Sequence, residues 1–288
     1  MRPAPIVRPF YDPATGSFQY VVHDPATRQA ATIDVVWDFD PVAVRTSTDS
    51  LDRIVDYVRT ERLDVVWILD THPHADHFIA GPLLQAAVAA PRVIGARVTD
   101  VQRLWRDLYH LGADFPVDGS QWDRLVDEGD RLPLGAFEIR VWFSPGHTMA
   151  SVSYLVGDAA FVHDTLMMPD LGTARADFPG GDARQLYASL QRILALPDAT
   201  RLFVGHDYPP EGREPAGEST VAEQRRCNVH MANGVGEAEF VARRQARDAT
   251  LALPKRMLAA LQVNIRGGRL PDPEADGHRY LRLPVDRF

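Results

Sequence analysis

The sequence is poor in cysteine, in positive charge and in long apolar runs, and each of these excludes a class of protein. Cys227 is the only cysteine among 288 residues, so no intrachain disulfide can form and nothing points to an oxidising compartment. The formal net charge of -8 argues against a broad nucleic-acid-binding surface, which needs clustered lysine and arginine. No apolar stretch approaches the roughly 20 residues that a membrane-spanning helix requires.

The amino-terminal segment also lacks the features of a secretory signal. Residues 1–16 carry Arg2 and Arg8, but prolines interrupt them and no continuous apolar core follows. We therefore expect a cytoplasmic protein with no membrane partner and no nucleic-acid partner. The composition, 45% hydrophobic and 24% charged, is that of an ordinary globular protein. The length suits one large α/β domain or such a domain with an appendage.

Alternating patterns and short apolar runs predict the secondary structure. Residues 17–23 and 30–36 are rich in β-forming side chains and flank the turn residues 24–27, which predicts an antiparallel pair. Further strands are predicted at 65–69, 93–95, 137–143, 151–157, 159–163 and 201–204. Helical spacing predicts helices at 47–62, from Ala75 to Val88, within 97–125 and at 182–196.

The order of these elements predicts the layers and the domains. Two strand-rich halves, each with its own helices, favour two sheets packed face to face with helices outside. Thr220 and Glu223 have the spacing of a capping box, so residues 216–288 should begin with helices and end in a tail rich in glycine and proline. We expect a catalytic domain at 1–215 and a carboxy-terminal extension at 216–288, packed on it or continuous with it.

Polar motifs follow four of the predicted strands. Strand ends on rigid sheets hold side chains with little positional slack, which is what a metal site needs. Imidazole and carboxylate ligands suit zinc, iron, manganese and related divalent ions. The four motifs are His72-Pro73-His74-Ala75-Asp76-His77, Ser144-Pro145-Gly146-His147, Asp164 and Gly205-His206-Asp207.

The first motif is the most specific of the four. Three histidines and an aspartate within six residues are not typical core residues, since His and Asp are rarely buried without partners. His147, Asp164 and His206 are stronger ligand candidates because of their order along the chain and because each follows a predicted strand. The histidines at 23, 110, 163, 230 and 278 lack that support, although His163 adjoins Asp164.

With these motifs the sequence resembles the metallo-β-lactamase superfamily, whose pattern is His-x-His-x-Asp-His, a distant Gly-His, a bridging Asp and a last His. The resemblance implies an α/β fold, a four-layer αββα sandwich with the metal site at one edge of the two sheets. Fold alone does not fix the reaction.

Downstream segments resemble the persulfide dioxygenases, in particular a bacterial branch sometimes called β-lactamase hydrolase-like protein. The resemblance runs from about residue 15 to about residue 270. It implies oxidation of glutathione persulfide, or a similar small persulfide, with O₂ to sulfite and thiol, and a homodimer as the family tendency. The matching segments are Gly172-Thr173-Ala174-Arg175-Ala176-Asp177-Phe178, Gly205-His206-Asp207-Tyr208, Thr220-Val221-Ala222-Glu223-Gln224-Arg225 and Val263-Asn264-Ile265-Arg266-Gly267-Gly268.

The same resemblance implies a role for each site residue. One Fe(II) per chain would be held by His72, His147 and Asp164, two imidazoles and a carboxylate that leave open positions for substrate and O₂. The residues around these ligands, or the ligands of a second metal in a hydrolase, would be His74, Asp76, His77 and His206. Substrate carboxylates need cations, and the candidate substrate-binding residues are Arg175, Tyr208, Asn264 and Arg266.

Three features depart from the family pattern. His163 stands where glycine commonly precedes the bridging Asp, and Met168-Pro169-Asp170 replaces a stretch that is basic in some relatives. The gap of 75 residues between His72 and His147 is long, and residues 97–125 have the character of an insertion. These differences concern the outer pocket more than the ligands.

Three other functions compete with the dioxygenase. A thioester hydrolase of the glyoxalase II type would use the same residues to hold two metals, zinc among them, and a bridging hydroxide. A β-lactamase is disfavoured by the missing secretory signal. A non-catalytic redox or sulfide sensor would need a second cysteine beside Cys227.

Overall fold

The computed structural model describes residues 4–287. Strands and helices alternate along most of that length. The strands are β1 Ile6–Asp12, β2 Ser17–His23, β3 Gln29–Ile33, β4 Val36–Asp40, β5 Arg45–Ser47, β6 Asp64–Leu69, β7 Phe78–Ile79, β8 Arg92–Gly95, β9 Arg124–Val126, β10 Arg131–Leu134, β11 Phe137–Phe143, β12 Val152–Val156, β13 Ala159–His163, β14 Arg201–Val204 and β15 Glu218–Thr220. The α-helices are α1 Asp49–Thr60, α2 Gly81–Val88, α3 Val98–Leu108, α4 Ala183–Leu194, α5 Val221–Cys227, α6 Glu237–Asp248 and α7 Met257–Asn264.

Two six-stranded mixed sheets form the centre of the molecule. The first has the order β1-β2-β3-β6-β8-β9 and the second the order β10-β11-β12-β13-β14-β15, while β5-β4-β7 form a small third sheet. β2 pairs with β3 antiparallel, with Tyr20 opposite Ile33, which confirms the predicted hairpin. The apolar faces of the two large sheets meet in one core that includes Leu69, Tyr154 and Phe161.

Helices cover both outer faces of this sandwich. Ile54 of α1 and Leu84 of α2 pack against Ile68 in the first sheet, while Leu190 of α4 and Phe240 of α6 belong to the apolar cluster outside the second. The predicted αββα layering is therefore confirmed. No helix in the range 4–287 is both long and apolar enough to span a bilayer.

Four strands deliver their carboxyl ends to one edge of the sandwich. β13 and β14 are parallel neighbours, and β11 has the same direction because it and β13 both pair antiparallel with β12. β6 approaches the same edge from the first sheet. The predicted polar motifs follow these four strands, so the topology gathers them in one place.

Buried tyrosines join the two sheets near this edge. The Tyr20 hydroxyl in β2 donates to the carbonyl of Val204 at the end of β14, at 2.6 Å, and lies 3.0 Å from the carbonyl of Gly217. The Tyr154 hydroxyl in β12 donates to the carbonyl of Asp70 beyond β6, at 2.9 Å. Unpaired buried carbonyls are costly, so these hydroxyls fix how the strand ends lie across the core.

One local prediction was wrong. The helix predicted from Ala75 begins only at Gly81, because Phe78 and Ile79 form strand β7 and pair with β4 instead.

The carboxy-terminal region starts inside the second sheet and not after it. β15 pairs with β14, and the Thr220 side chain then accepts from the Glu223 backbone N–H at the start of α5, as predicted. Helix α7 packs on β7 through Ala260 and Val263. Residues 216–287 are therefore continuous with the sandwich in their hydrogen bonding.

Replacing Tyr20 with phenylalanine tests whether its hydroxyl stabilises the contact between the two sheets. We expect Tyr20→Phe to lower the free energy of unfolding by about 1–3 kcal/mol, because the buried carbonyl of Val204 loses its hydroxyl donor. The carbonyl of Gly217 still accepts from the Val204 N–H. Urea denaturation measures this. The control is Tyr57→Phe, since the Tyr57 hydroxyl has no hydrogen-bond partner within residues 4–287 and should change stability little. Equal losses in the two variants would contradict the account.

Candidate metal centre

His72 is oriented by a chain of buried hydrogen bonds. Asp34 accepts from the Thr71 backbone N–H at 2.8 Å and from the Thr71 hydroxyl at 2.7 Å. The hydroxyl oxygen, its proton thus used, lies 3.1 Å from His72 Nδ1 and can accept from it. This leaves His72 Nε2 buried and without a hydrogen-bond partner within residues 4–287. It lies 3.6 Å from the Asp164 carboxylate.

His147 is held in the same way by the backbone. Its Nδ1 lies 2.9 Å from the Arg175 carbonyl and donates to it, so Nε2 points to Asp164, 3.7 Å away. The preceding Gly146 has φ 138°. An added Cβ there would lie 2.3 Å from the backbone N and Cα of Leu186. Only glycine lets the loop pass so close to α4 and place the ring here.

Asp164 contacts histidines that follow strands of both large sheets. One carboxylate oxygen faces His72 and His147, and the other accepts from His206 Nδ1 at 2.6 Å. His206 Nε2 in turn lies 2.7 Å from the Asp76 carboxylate. The imidazole of His206 therefore lies between two carboxylates.

The protonation states suit a cation. Burial lowers the pKa of His72 well below its ordinary value, with His74 adding to the effect, and burial lowers the pKa of His147. Burial also raises the pKa of Asp164, but His206 and His147 outweigh it and hold that pKa below its usual range. Two neutral imidazoles and an ionised carboxylate are a donor set for a divalent ion. The unpaired Nε2 of His72 fits a metal ligand in particular.

A second group of donors adjoins the first. His74, Asp76 and His77 offer ligand atoms within 4.8 Å of one another, and the His74 ring lies 4.0 Å from that of His72. His74 Nε2 lies 3.1 Å from Asp34, an ion-pair contact rather than an aligned hydrogen bond. Burial lowers the pKa of His77 to about 4, so its imidazole is neutral and able to bind a metal.

His163, which no sequence motif singled out, also lies among the candidate ligands. It forms a group with His72 and Asp164 whose ligand atoms lie within 4.8 Å of one another, and burial lowers its pKa to about 4. Its φ of 28° is in the left-handed region, which explains why the family pattern has glycine at this position. The only advance signal was its place beside Asp164.

A cavity of about 550 Å³ opens beside these residues. Arg175 and Tyr208, both predicted to bind substrate, line it. Arg175 is already paired, since its guanidinium binds both oxygens of Asp177 and the carbonyl of Ala252. Tyr208 is half exposed and stacks on His206, with 5.8 Å between ring centres. Tyr208 is thus the more accessible of the two.

The structure places the other two predicted substrate residues elsewhere. Asn264 is fully buried; its amide N–H groups donate to the carbonyls of His74 and His77, and its oxygen accepts from the Ile79 N–H, each at 2.8 Å. It positions the motif loop and has no donor left for substrate. Arg266 lines a different cavity and packs over Phe115, so neither residue lines the cavity beside Asp164.

No sequence motif pointed to Arg247, a cation that does line this cavity. It is exposed on α6, and its guanidinium makes no hydrogen bond or ion pair to any residue from 4 to 287. An unpaired arginine next to a metal centre is able to bind the carboxylate of a small anion.

The comparisons with known proteins agree with this geometry. Residues 39–206 match the family model of the metallo-beta-lactamase superfamily, more than half of the chain. The chain belongs to that superfamily. The crystal structure of ETHE1 from Myxococcus xanthus superposes with a TM-score of 0.72 at 32% identity, covering 92% of this chain and 100% of that one.

Curated relatives carry several different names. A beta-lactamase hydrolase-like protein of Agrobacterium fabrum is 61% identical and covers 98% of this chain and 65% of its own length. The glyoxylase B2 of Dictyostelium discoideum is 41% identical, with 97% and 96% covered. The human mitochondrial persulfide dioxygenase ETHE1 is 27% identical, with 92% and 90% covered. This chain thus spans slightly less than two thirds of the length of the first of these relatives.

The role of Asn264 in holding the motif loop is open to direct test. We expect Asn264→Ala to weaken metal binding by about 10–100-fold, as loss of a residue that orients ligands does, measured by competition with a chelator. Asn228→Ala is the matched control, because Asn228 is equally buried and bonded but makes no hydrogen bond to the motif loop 72–77. It should lose stability and keep its metal affinity. Unchanged affinity in Asn264→Ala would refute the role.

Proposed function

We propose that this chain is a mononuclear iron(II) dioxygenase that oxidises a small persulfide, such as glutathione persulfide, to sulfite and thiol. The observation that supports it most is the close grouping of His72, His147 and Asp164. In this group His72 Nε2 is buried, faces Asp164 and has no hydrogen-bond partner among residues 4–287. Two imidazoles and one carboxylate on one side of an ion are typical of iron(II) oxygenases, which keep open positions for two substrates. The relatives named persulfide dioxygenase support the same assignment.

The overall reaction balances with water as a co-substrate. A persulfide RSSH, O₂ and H₂O give the thiol RSH and sulfurous acid; the outer sulfur is oxidised, O₂ is reduced, and the S–S bond breaks. Iron(II), when bound, supplies the redox chemistry that couples O₂ to sulfur. The protein supplies fixed ligand geometry, through the Thr71 and Arg175 contacts of the two histidines.

Substrate recognition is assigned to the cavity residues. Arg247 would bind a carboxylate of the thiol carrier, because among the arginines that line the cavity it is the one without a partner in residues 4–287. Arg175, fixed by Asp177, would shape the wall and add positive potential. The phenol of Tyr208 would contact the substrate near the sulfur, close to His206.

A two-metal hydrolase is the competing function, and one observation favours it. His74, Asp76 and His77 form a second donor group beside the first, and two bridged ions would activate a water for thioester hydrolysis. The similarity to a protein named glyoxylase B2 agrees with this alternative.

Oxygen uptake tests the proposed reaction. Protein loaded anaerobically with iron(II) should consume O₂ when glutathione persulfide is added, and should release one sulfite per O₂. An oxygen electrode and sulfite determination measure both. The zinc-loaded protein is the control and should consume none, since zinc has no redox chemistry. Thioester hydrolysis without O₂ uptake would establish the alternative.

Metal counting on a variant of the second donor group separates the two functions. We expect His77→Ala to keep about one iron per chain, because His77 is not among the three assigned ligands. Elemental analysis of the purified protein measures this, with Asp164→Ala as the variant that should lose its metal. A fall from two ions to one in His77→Ala would indicate a two-metal centre.

Arg247 can be tested through the Michaelis constant. Arg247→Gln should raise KM for the anionic persulfide by about two- to fivefold, the worth of an exposed ion pair, with kcat unchanged and with the effect smaller at high salt. The control is Arg243→Gln on the same helix, since Arg243 is exposed, pairs with Glu239 and lies outside the cavity. Equal KM values for Arg247→Gln and wild type would remove Arg247 from the substrate site.

A further inference from the structure

A second, much smaller cavity of about 20 Å³ lies next to the metal centre. His147 is part of its wall, and most of the other wall residues are apolar. They come from the motif loop, from helices α3 and α7, and from the segments 148–149 and 178–179. The main apolar ones are Ala75, Val101, Trp105, Met149, Phe178 and Leu261.

Only a thin partition separates this cavity from the large one. Ala75, His147 and Phe178 line both cavities. The rings of His147 and Phe178 meet edge to face, with 5.5 Å between their centres. Asp164 lines the large cavity but not the small one. The small cavity therefore borders one of the assigned ligands, His147.

The residues that line the small cavity favour an apolar molecule over water. A buried water needs about two to four polar partners. Here the Thr148 hydroxyl already bonds Ser151 at 2.8 Å and His147 Nδ1 bonds the Arg175 carbonyl. Most of the other wall residues belong to one apolar cluster, to which α3 and α7 contribute. The volume has room for one small molecule the size of water or O₂.

We propose that this apolar cavity is a dioxygen site that supplies O₂ to the metal centre past His147. The proposal rests on the proposed dioxygenase function. A persulfide carrier bound in the 550 Å³ cavity covers the direct path from solvent, so the second substrate needs a place of its own. An uncharged diatomic molecule partitions into apolar surroundings, and this cavity offers them beside a ligand.

Residues 97–125, the segment that has the character of an insertion, would form part of the wall of this dioxygen site. Helix α3 of this segment contributes Val101 and Trp105 to the wall, opposite Leu261 of α7. Met149 is partly exposed and packs over Gly180, where an added Cβ would lie 2.4 Å from its Cε. Its flexible side chain lies between the cavity and solvent, at a point where gas would enter.

Gas occupancy is the first test, and it does not depend on activity. Crystals pressurised with krypton, an apolar atom close to O₂ in size, should show one anomalous peak between Val101, Phe178 and Leu261. Leu261→Phe fills this space and should abolish the peak. Leu258→Phe is the matched control, because Leu258 lies on the same helix and in the same apolar cluster but does not line the cavity; it should keep the peak.

Steady-state kinetics with varied O₂ is the second test. Leu261→Phe should lower kcat/KM for O₂ about tenfold, the lower end of what methylene-sized changes in an apolar pocket produce, and leave KM for the persulfide unchanged. Leu258→Phe should match wild type in both. If Leu261→Phe fails to fold, Val101→Leu narrows the same space by one methylene and should show the same pattern in weaker form.

The outcomes separate the two proposals. No krypton peak in the wild type, or normal O₂ kinetics in a folded Leu261→Phe protein that has lost its peak, overturns the dioxygen site while the dioxygenase function stands. A wild-type protein that consumes no O₂ with persulfide overturns the function, and the dioxygen site falls with it.

Discussion

The charge of one buried carboxylate constrains the whole site. Asp164 lies out of solvent at the end of β13, and a desolvated carboxylate stays ionised only if positive charge or donors surround it. His206 supplies a hydrogen bond to one of its oxygens, and His72 and His147 face the other. A divalent ion bound at that second oxygen would compensate the remaining negative charge of the carboxylate. Four strand ends must meet within a few ångströms to build this arrangement.

The meeting of the strand ends depends on contacts outside the motif. Tyr20 and Tyr154 cross between the sheets, and the backbone N–H of Phe18 donates to the carbonyl of Gly205 at 2.7 Å. Asn264, near the end of the described chain, holds the carbonyls of the motif loop. Carboxy-terminal residues therefore hold the candidate metal-binding loop in place, and they also line the small cavity beside His147.

The layers, and the convergence of the polar motifs at one edge of the sandwich, could be predicted from the sequence because both follow local signals. Short apolar runs mark buried strands, and polar residues directly after them mark a shared sheet edge. β7 was missed because a two-residue strand exists only through its pairing with β4, which is tertiary. Asn264 was assigned to substrate because a motif names residues but not the direction of a side chain. Arg247 has no sequence signal, because what singles it out is an exposed guanidinium without a partner among residues 4–287, and only the folded structure reveals that.

The central claim is that one ion is held by His72, His147 and Asp164. A crystal structure of the iron-loaded protein with anomalous data on both sides of the iron absorption edge tests it most directly. The account predicts a single anomalous peak within bonding distance of the Nε2 atoms of His72 and His147 and of the Asp164 carboxylate. Two peaks, the second among His74, Asp76, His77 and His206, would contradict it and indicate a two-metal enzyme.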